Sequence, residues 1–225
     1  MSQTVPKCIC FDVDGVLLDS LPQHLKICED LAEQFHLKLK IPSIAEMRAR
    51  ISAGLIVSPM RKFFLALDFP PDVADRALEE YRENFASRYS PQAFPGVREM
   101  LLRLRERQVT LGLVTSNIRA NVVPLLADCM SLFDDRCQFF DEPGADAIDK
   151  VQALSRTATI LRLKAADCVY VGDQPSDEAA ANSAGFQFLG VAYGWGVTGM
   201  EDRFPVAQTV REIPQILLHE AIVPA

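Results

Sequence analysis

Two carboxylates, Asp12 and Asp14, stand one residue apart where the apolar run Cys8–Phe11 stops, in the stretch CICFDVDGVLLDS. A second run, VTLGLVTSN, ends in Thr115, Ser116 and Asn117. A third, DCVYVGDQPSD, ends in Gly172 and Asp173, with Asp177 following, and Lys150 lies between these two. Ligands of open parallel sheets bind beyond the carboxyl ends of the strands. If each run is a strand of one sheet, these side chains gather at one rim. Acids at i and i+2 also point the same way while the chain stays extended. Carboxylates gathered in a cleft repel by about 4 kcal/mol per pair at 4 Å and an effective dielectric near 20. A divalent cation relieves that repulsion, and an all-oxygen set with room for water suits magnesium. An EF-hand calcium loop does not fit DVDG. It needs a third ligand at position 5 and glycine at position 6, whereas Gly15 comes at position 4.

A phosphate monoester matches this set of groups. The cation, Lys150, the Thr115 hydroxyl and backbone N–H groups near Ser116 are partners for its oxygens. One of the paired acids can attack phosphorus, giving an aspartyl-phosphate. The other can protonate the leaving oxygen and later deprotonate water, help of a kind that contributes roughly 10²- to 10⁴-fold. The cation and the lysine stabilise charge in the transition state.

The elements that must position these groups follow from periodicity. KCICF, VTLGLVTS, CQFF, DCVYVGD and FQFLGVAYG are strand-length apolar runs. Helical patterns alternate with them. GVREMLLRLRERQ puts Val97, Met100, Leu101 and Leu104 on one stripe, and VQALSRTATILRL does so with Val151, Leu154, Ala158 and Leu161. SDEAAANSAG reads as a helix capped by Ser176 and stopped by Gly185. Such alternation predicts an α/β fold, a doubly wound parallel sheet with helices on both faces. Residues 20–90 break the rhythm. Leu21, Leu25, Cys28, Ala32 and Phe35 make a helical stripe, SIAE is a capping box, and PPDVADRALEEYRENFASRY is a long helix. The expected organisation is a core of residues 1–19 and 91–225 with an all-helical insert, 20–90, after the first strand.

DVDGVLLDS, VTSN, Lys150 and GDQPSD, in this order and spacing, resemble the four motifs of the haloacid dehalogenase superfamily, and the resemblance covers essentially the whole chain. FPGVREML and AGFQFLGVAYGWG also look like that family. The insert's position is similar to the helical cap of its phosphoglycolate phosphatase-like and phosphoglucomutase-like members. The resemblance implies a Rossmann-like core and a Mg²⁺-dependent phosphatase acting on a small phosphorylated metabolite. It implies Asp12 as nucleophile and Asp14 as acid/base. Asp12, the Asp14 main-chain carbonyl and Asp173 would hold Mg²⁺, with Asp177 in its outer shell. Thr115 and Lys150 would hold the phosphate, beside Ser116 and Asn117. His24 matches a histidine that relays a proton in mutase-like relatives, which keeps a phosphomutase as the alternative. A dehalogenase needs neither the partner acid nor the metal, and a non-catalytic binding protein would not need the intact acids. One departure is Glu142-Pro143, where many relatives carry Lys-Pro; Lys150 comes later and must reach from a helix start.

Composition bounds the rest. A net charge of -7 argues against general binding to nucleic acid or anionic membrane. No apolar stretch is long enough to span a bilayer, and no charged-then-apolar leader opens the chain. The six cysteines lie mostly in apolar runs without a CxxC pair, which reads as buried thiols in a reducing compartment. The expectation is a cytoplasmic monomer or homodimer. Arg48, Arg50, Arg61 and Lys62 in the insert read first as a solvated face and otherwise as an anion clamp. Trp195 reads as a packing anchor.

Overall fold

The computed structural model describes residues 5–134, 137–139 and 149–220. The chain opens with β1 (Cys8–Phe11), all four of whose residues are buried. A strand apolar on both faces must be covered on both. β2 (Leu18–Asp19) leads into α1 (Leu21–Gln34), α2 (Ile44–Ser52), α3 (Met60–Ala66) and α4 (Pro71–Asn84), which closes on a π-helical turn at Phe85–Tyr89. Then come β3 (Gln92–Ala93), α5 (Val97–Glu106), β4 (Thr110–Leu113), α6 (Arg119–Leu125) and α7 (Ala127–Met130). α8 (Lys150–Leu161), β5 (Cys168–Gly172), α9 (Pro175–Ala184), β6 (Gln187–Val191), β7 (Val206–Ala207) and α10 (Glu212–Leu217) complete the described chain.

The sheet is parallel, in the order β4-β1-β5-β6-β7. From β1 the chain goes first to the neighbour on one side and later to the neighbour on the other. That reversal makes β1 the switch point, where open sheets bind ligands. Phe11 stands level with Leu113 on β4 and Val171 on β5, so the three strands end together. Alternation sorts the side chains. Ile9, Phe11, Leu111, Leu113, Val169 and Val171 meet α5 and α10 on one face. Cys8, Cys10, Cys168 and Tyr170 meet α8 and α9 on the other. All six cysteines are buried.

The helices between β2 and β3 close an apolar cluster of their own, which includes Leu25, Phe64, Tyr81 and Phe85 and takes in Trp195 from the loop after β6. β2 and β3 pair antiparallel at the roots of this helical insert, Leu18 opposite Ala93 and Asp19 opposite Gln92. Strands of two residues carry no periodicity, so neither is visible in the sequence; β7 escapes for the same reason.

Three expectations change. CQFF is not a strand of the sheet among the described residues: only Gln138 bridges to Val114, and Phe140 lies outside them. α9 begins two residues earlier than a Ser176 cap implies, because Pro175, which has no N–H to satisfy, takes the first turn and Gln174 becomes the cap. Gly185 ends it with φ +75°, as expected. On α8 the buried face is Ala153, Leu154, Thr157 and Ala158, with Val151 and Leu161 only half-buried at its edges.

Candidate active site

Asp12 is the first residue beyond β1. Its N–H donates to Val171 O (2.9 Å), continuing the ladder with β5, and its Oδ1 accepts from Val13 N–H (2.8 Å). The chain then turns at Gly15, φ +79°, a conformation that suits glycine. A Cβ there would also overlap the Asp173 carboxylate. The turn brings Asp14 to face β4: its Oδ2 accepts from Asn117 Nδ2 at 2.8 Å, and its Oδ1 is buried without a partner.

Asp173 follows β5. Its Oδ2 accepts from Trp195 N–H (2.7 Å), while Oδ1 is buried and unpartnered. Asp177, in the first turn of α9, accepts through Oδ2 from the N–H groups of Asp173 and Gln174, each 3.1 Å away. A carboxylate at a helix N-terminus satisfies donors that the helix cannot. Gly172 is needed here, because a Cβ would run into the Asp177 side chain. Asp12, Asp173 and Asp177 each offer an oxygen within 4.8 Å of the others, and all three are buried.

Lys150, the first residue of α8, lies between two of these acids. Its Nζ donates to Asp12 Oδ2 and to Asp177 Oδ1, both at 2.5 Å. Burial pushes the Asp12 carboxyl up to about 6, against the pull of the Lys150 ammonium. Asp173 is driven well above the usual carboxylate range by burial and by the charges of Asp177 and Asp12. Lys150 is held well above its ordinary value: burial favours the neutral amine, but Asp12 and Asp177 outweigh it. An acidic cluster with this much uncompensated repulsion, and with buried orphan oxygens on Asp173 and Asp14, has the donor chemistry for a hard divalent cation.

The segment after β4 supplies the opposite wall. Thr115 is buried and its Oγ1 accepts from Asn117 N–H (3.1 Å). The Ser116 hydroxyl is hydrogen-bonded to Ser58 of the insert. Asn117 Oδ1 accepts from Ile118 N–H (2.8 Å) and Asn121 Nδ2 (3.2 Å), which fixes the amide so that Nδ2 faces Asp14. Asp12, Asp14, Ser116 and Asn117 line one recess with His24, Tyr81 and Trp195.

His24 is buried against Phe85 and Trp195, with ring centroids 4.5 and 5.1 Å away. Its Nδ1 lies 2.8 Å from Ser20 O and must therefore be the protonated nitrogen, leaving Nε2 to accept from Tyr81 OH at 3.3 Å. Burial lowers its pKa, with Asp14 pulling the other way. Of the basic stretch, Arg48 donates to Tyr193 O (2.8 Å) and Arg61 pairs with exposed Asp75 (2.5 Å). Sequence reasoning leaves out Tyr81, Ser58 and Asn121, and it leaves out the Trp195 backbone N–H. Isolated polar residues in helices or loops carry no spacing signal, and only the fold brings them here. Glu142-Pro143 lies outside the described residues.

Known proteins resemble this chain in sequence and in fold. The family model of the haloacid dehalogenase-like hydrolases matches residues 9–191. The chain is 32% identical over 202 residues to a phosphoglycolate phosphatase of Pseudomonas syringae pv. syringae, covering 85% of this chain and 71% of that one. It is 27% identical over 237 residues to the phosphoglycolate phosphatase of Vibrio vulnificus, covering 98% and 100%. Among solved structures, a haloacid dehalogenase-like hydrolase of Streptococcus pneumoniae superposes with a TM-score of 0.78 at 18% identity, over 95% of this chain and 99% of that one. A family IA hydrolase of Entamoeba histolytica does so with a TM-score of 0.72 at 18% identity, over 92% and 95%.

Proposed function

The chain belongs to the haloacid dehalogenase-like hydrolase family, and on that premise we propose that it is a phosphatase hydrolysing a small phosphate monoester through a phosphorylated Asp12. The observation that carries the reading is the convergence of Asp12, Asp173 and Asp177 on one point, with Lys150 spanning two of them. The relatives named phosphoglycolate phosphatases favour a phosphomonoester as substrate.

In the reaction a carboxylate oxygen of Asp12 attacks phosphorus and the bond to the ester oxygen breaks. Asp14 gives its proton to the departing alkoxide, so the alcohol leaves neutral. Asp14 then takes a proton from water, whose oxygen attacks phosphorus, and inorganic phosphate departs as Asp12 is regenerated. The Asn117 amide holds Asp14 in place for both transfers. Lys150 and Thr115 bind phosphoryl oxygens, joined by N–H groups near Ser116. Mg²⁺ fits the orphaned oxygens; Asp12, Asp173 and the Asp14 carbonyl would hold it, with Asp177 behind them, and when bound it supplies positive charge to the phosphoryl group.

Residues 20–90 act as a cap domain over a core of 1–19 and 91–225. Support comes from their separate apolar cluster and from polar ties to the core at Ser58–Ser116 and Arg48–Tyr193. A mutase reading would need His24 as a free proton carrier, yet both its nitrogens are engaged within the protein. The partner acid Asp14 and the acidic cluster likewise disfavour a dehalogenase. Among the described residues no helix is long and apolar enough to cross a membrane. The test is a panel of phosphorylated metabolites read out as inorganic phosphate. Release should stop with EDTA, return with Mg²⁺, and vanish in Asp12→Asn while the fold persists. More than a few per cent of residual turnover in that variant would remove Asp12 as nucleophile.

A further inference from the structure

The recess at the acids is small and carries acids but no cation of its own. Its free space is about 30 Å³, room for about two waters. Around the acids its walls are Val57, Met60, Phe63, Tyr81 and Trp195, and among the described residues no lysine or arginine lines it. Of the nearby cations, Lys150 is held by Asp12 and Asp177 and Arg61 by Asp75, while Arg48 donates to the Tyr193 carbonyl with its Nε buried and unpartnered; neither Arg48 nor Lys62 lines the recess. An alcohol carrying a carboxylate would place a second negative charge beside Asp14, between aromatic walls, with no cationic side chain on the recess wall to pair with it. Burying a charge in that way is strongly unfavourable.

The recess nevertheless shares two wall residues, Ser58 and Gln174, with a larger groove of about 540 Å³. That groove runs between residues 51–62 of the insert and the starts of α8 and α9. Its volume is that of a small-molecule site. Ile51, Leu55, Ile56 and Pro59 form one wall; Val151 and Ala179 stand on the other. Ile56 is 59% exposed, so its side chain is open to contact by whatever lies in the groove. Beyond the engaged Lys150, the groove's charges are Lys62 and Asp149, one of each sign.

Resting on the phosphatase reading, we propose that the alcohol part of the substrate is uncharged and largely apolar, and that it leaves the recess past Ser58 and Gln174 to lie in this groove. The phosphoryl group stays with the acids, and the ester chain covers Ile56.

The test measures kcat/KM for phosphate release from n-alkyl phosphates of increasing length, with phosphoglycolate as the charged counterpart of ethyl phosphate. Each methylene that enters the groove should raise kcat/KM about fourfold, until the groove is filled. Phosphoglycolate should fall at least about tenfold below ethyl phosphate. Ile56→Asp and Ala179→Glu place charge on opposite walls at exposed positions, so folding is retained. Each should at least halve the dependence of log kcat/KM on chain length. A flat response to length, or a preference for phosphoglycolate over ethyl phosphate, would overturn this inference and leave the phosphatase reading standing. Phosphate release from none of these esters, nor from the metabolite panel, would overturn the phosphatase reading and this inference with it.

Discussion

Replacing Lys150 by methionine tests whether one cation holds the acidic cluster together. The side chain is only 11% exposed, and its ammonium sits 2.5 Å from each of two carboxylates that are 5% and 0% exposed. Methionine keeps the length and apolar stem but removes the charge. The variant leaves Asp12, Asp173 and Asp177 with oxygens within 4.8 Å of one another and no protein cation between them. At that separation and an effective dielectric near 20, each ionised pair repels by about 3.5 kcal/mol. Breaking a buried ion pair by deleting one partner costs about 3–5 kcal/mol once the carboxylates have relaxed or taken up protons. For a chain of this length each kcal/mol lowers Tm by about 2–4 °C, so the loss should be roughly 6–20 °C. The assay is thermal melting in EDTA at neutral pH, with far-UV circular dichroism to verify the native fold at low temperature. Adding Mg²⁺ should narrow the gap between Lys150→Met and the parent, because the added cation binds the folded cluster and not the unfolded chain. A variant that melts within about 2 °C of the parent in EDTA would refute the electrostatic account.

Two further outcomes follow from the same geometry. Asn117→Ala removes a charge-assisted hydrogen bond to Asp14 worth about 1.5–3 kcal/mol, so kcat should fall roughly 10- to 150-fold with KM little changed; a raised KM at constant kcat would instead make Asn117 a substrate ligand. His24 has its pKa lowered by burial, so the unfolded chain takes up a proton before the folded one does. Its contribution to stability is complete above about 6.5 and is lost as pH falls below that value, by up to about 1.4 kcal/mol per pH unit. The raised Asp12 and Asp173 carboxyls act in the opposite direction over the same range, so the measure is the difference between proteins: between pH 7.5 and 5.5 in urea unfolding the parent should lose stability relative to His24→Gln, and equal pH dependence in the two would refute it.

The parts of this site that are legible in the sequence sit at strand ends. A buried strand announces itself as an apolar run, and the first polar residue after it, such as Asp12 or Asp173, is placed by the sheet whatever the loops do. The register that levels Phe11, Leu113 and Val171 then sets the acids at one rim. Lys150 is legible only as a helix start; that its ammonium reaches two acids depends on how α8 lies against β5. Asn117 reads as a phosphate neighbour, but its amide is turned onto Asp14 by Ile118 N–H and Asn121, which no spacing rule anticipates. Tyr81 is hidden for a related reason. It belongs to the apolar stripe of α4, and only the meeting of that helix with α1 puts its hydroxyl against His24.

The ties between insert and core fall on the neighbours of the reacting groups. Ser58 meets Ser116, next to Thr115. Arg48 and Ser52 donate to the carbonyls of Tyr193 and Gly196, which flank Trp195 on either side. Trp195 buries its ring in the insert's apolar cluster while its N–H holds Asp173. Lifting the insert would therefore exchange a few hydrogen bonds, each worth about 1 kcal/mol net, for water. It would also unseat the one ring whose backbone fixes Asp173. The polar ties alone are too weak to keep the insert shut against a substrate of ordinary affinity. Yet each of them, when made, bears on a loop that either adjoins a reacting group, as Ser116 does Thr115, or holds an acid of the cluster, as Trp195 N–H holds Asp173. On the proposed reading of residues 20–90 as a cap, closure and alignment of the acids would be a single event, and a ligand that fills the space between insert and core would favour both together.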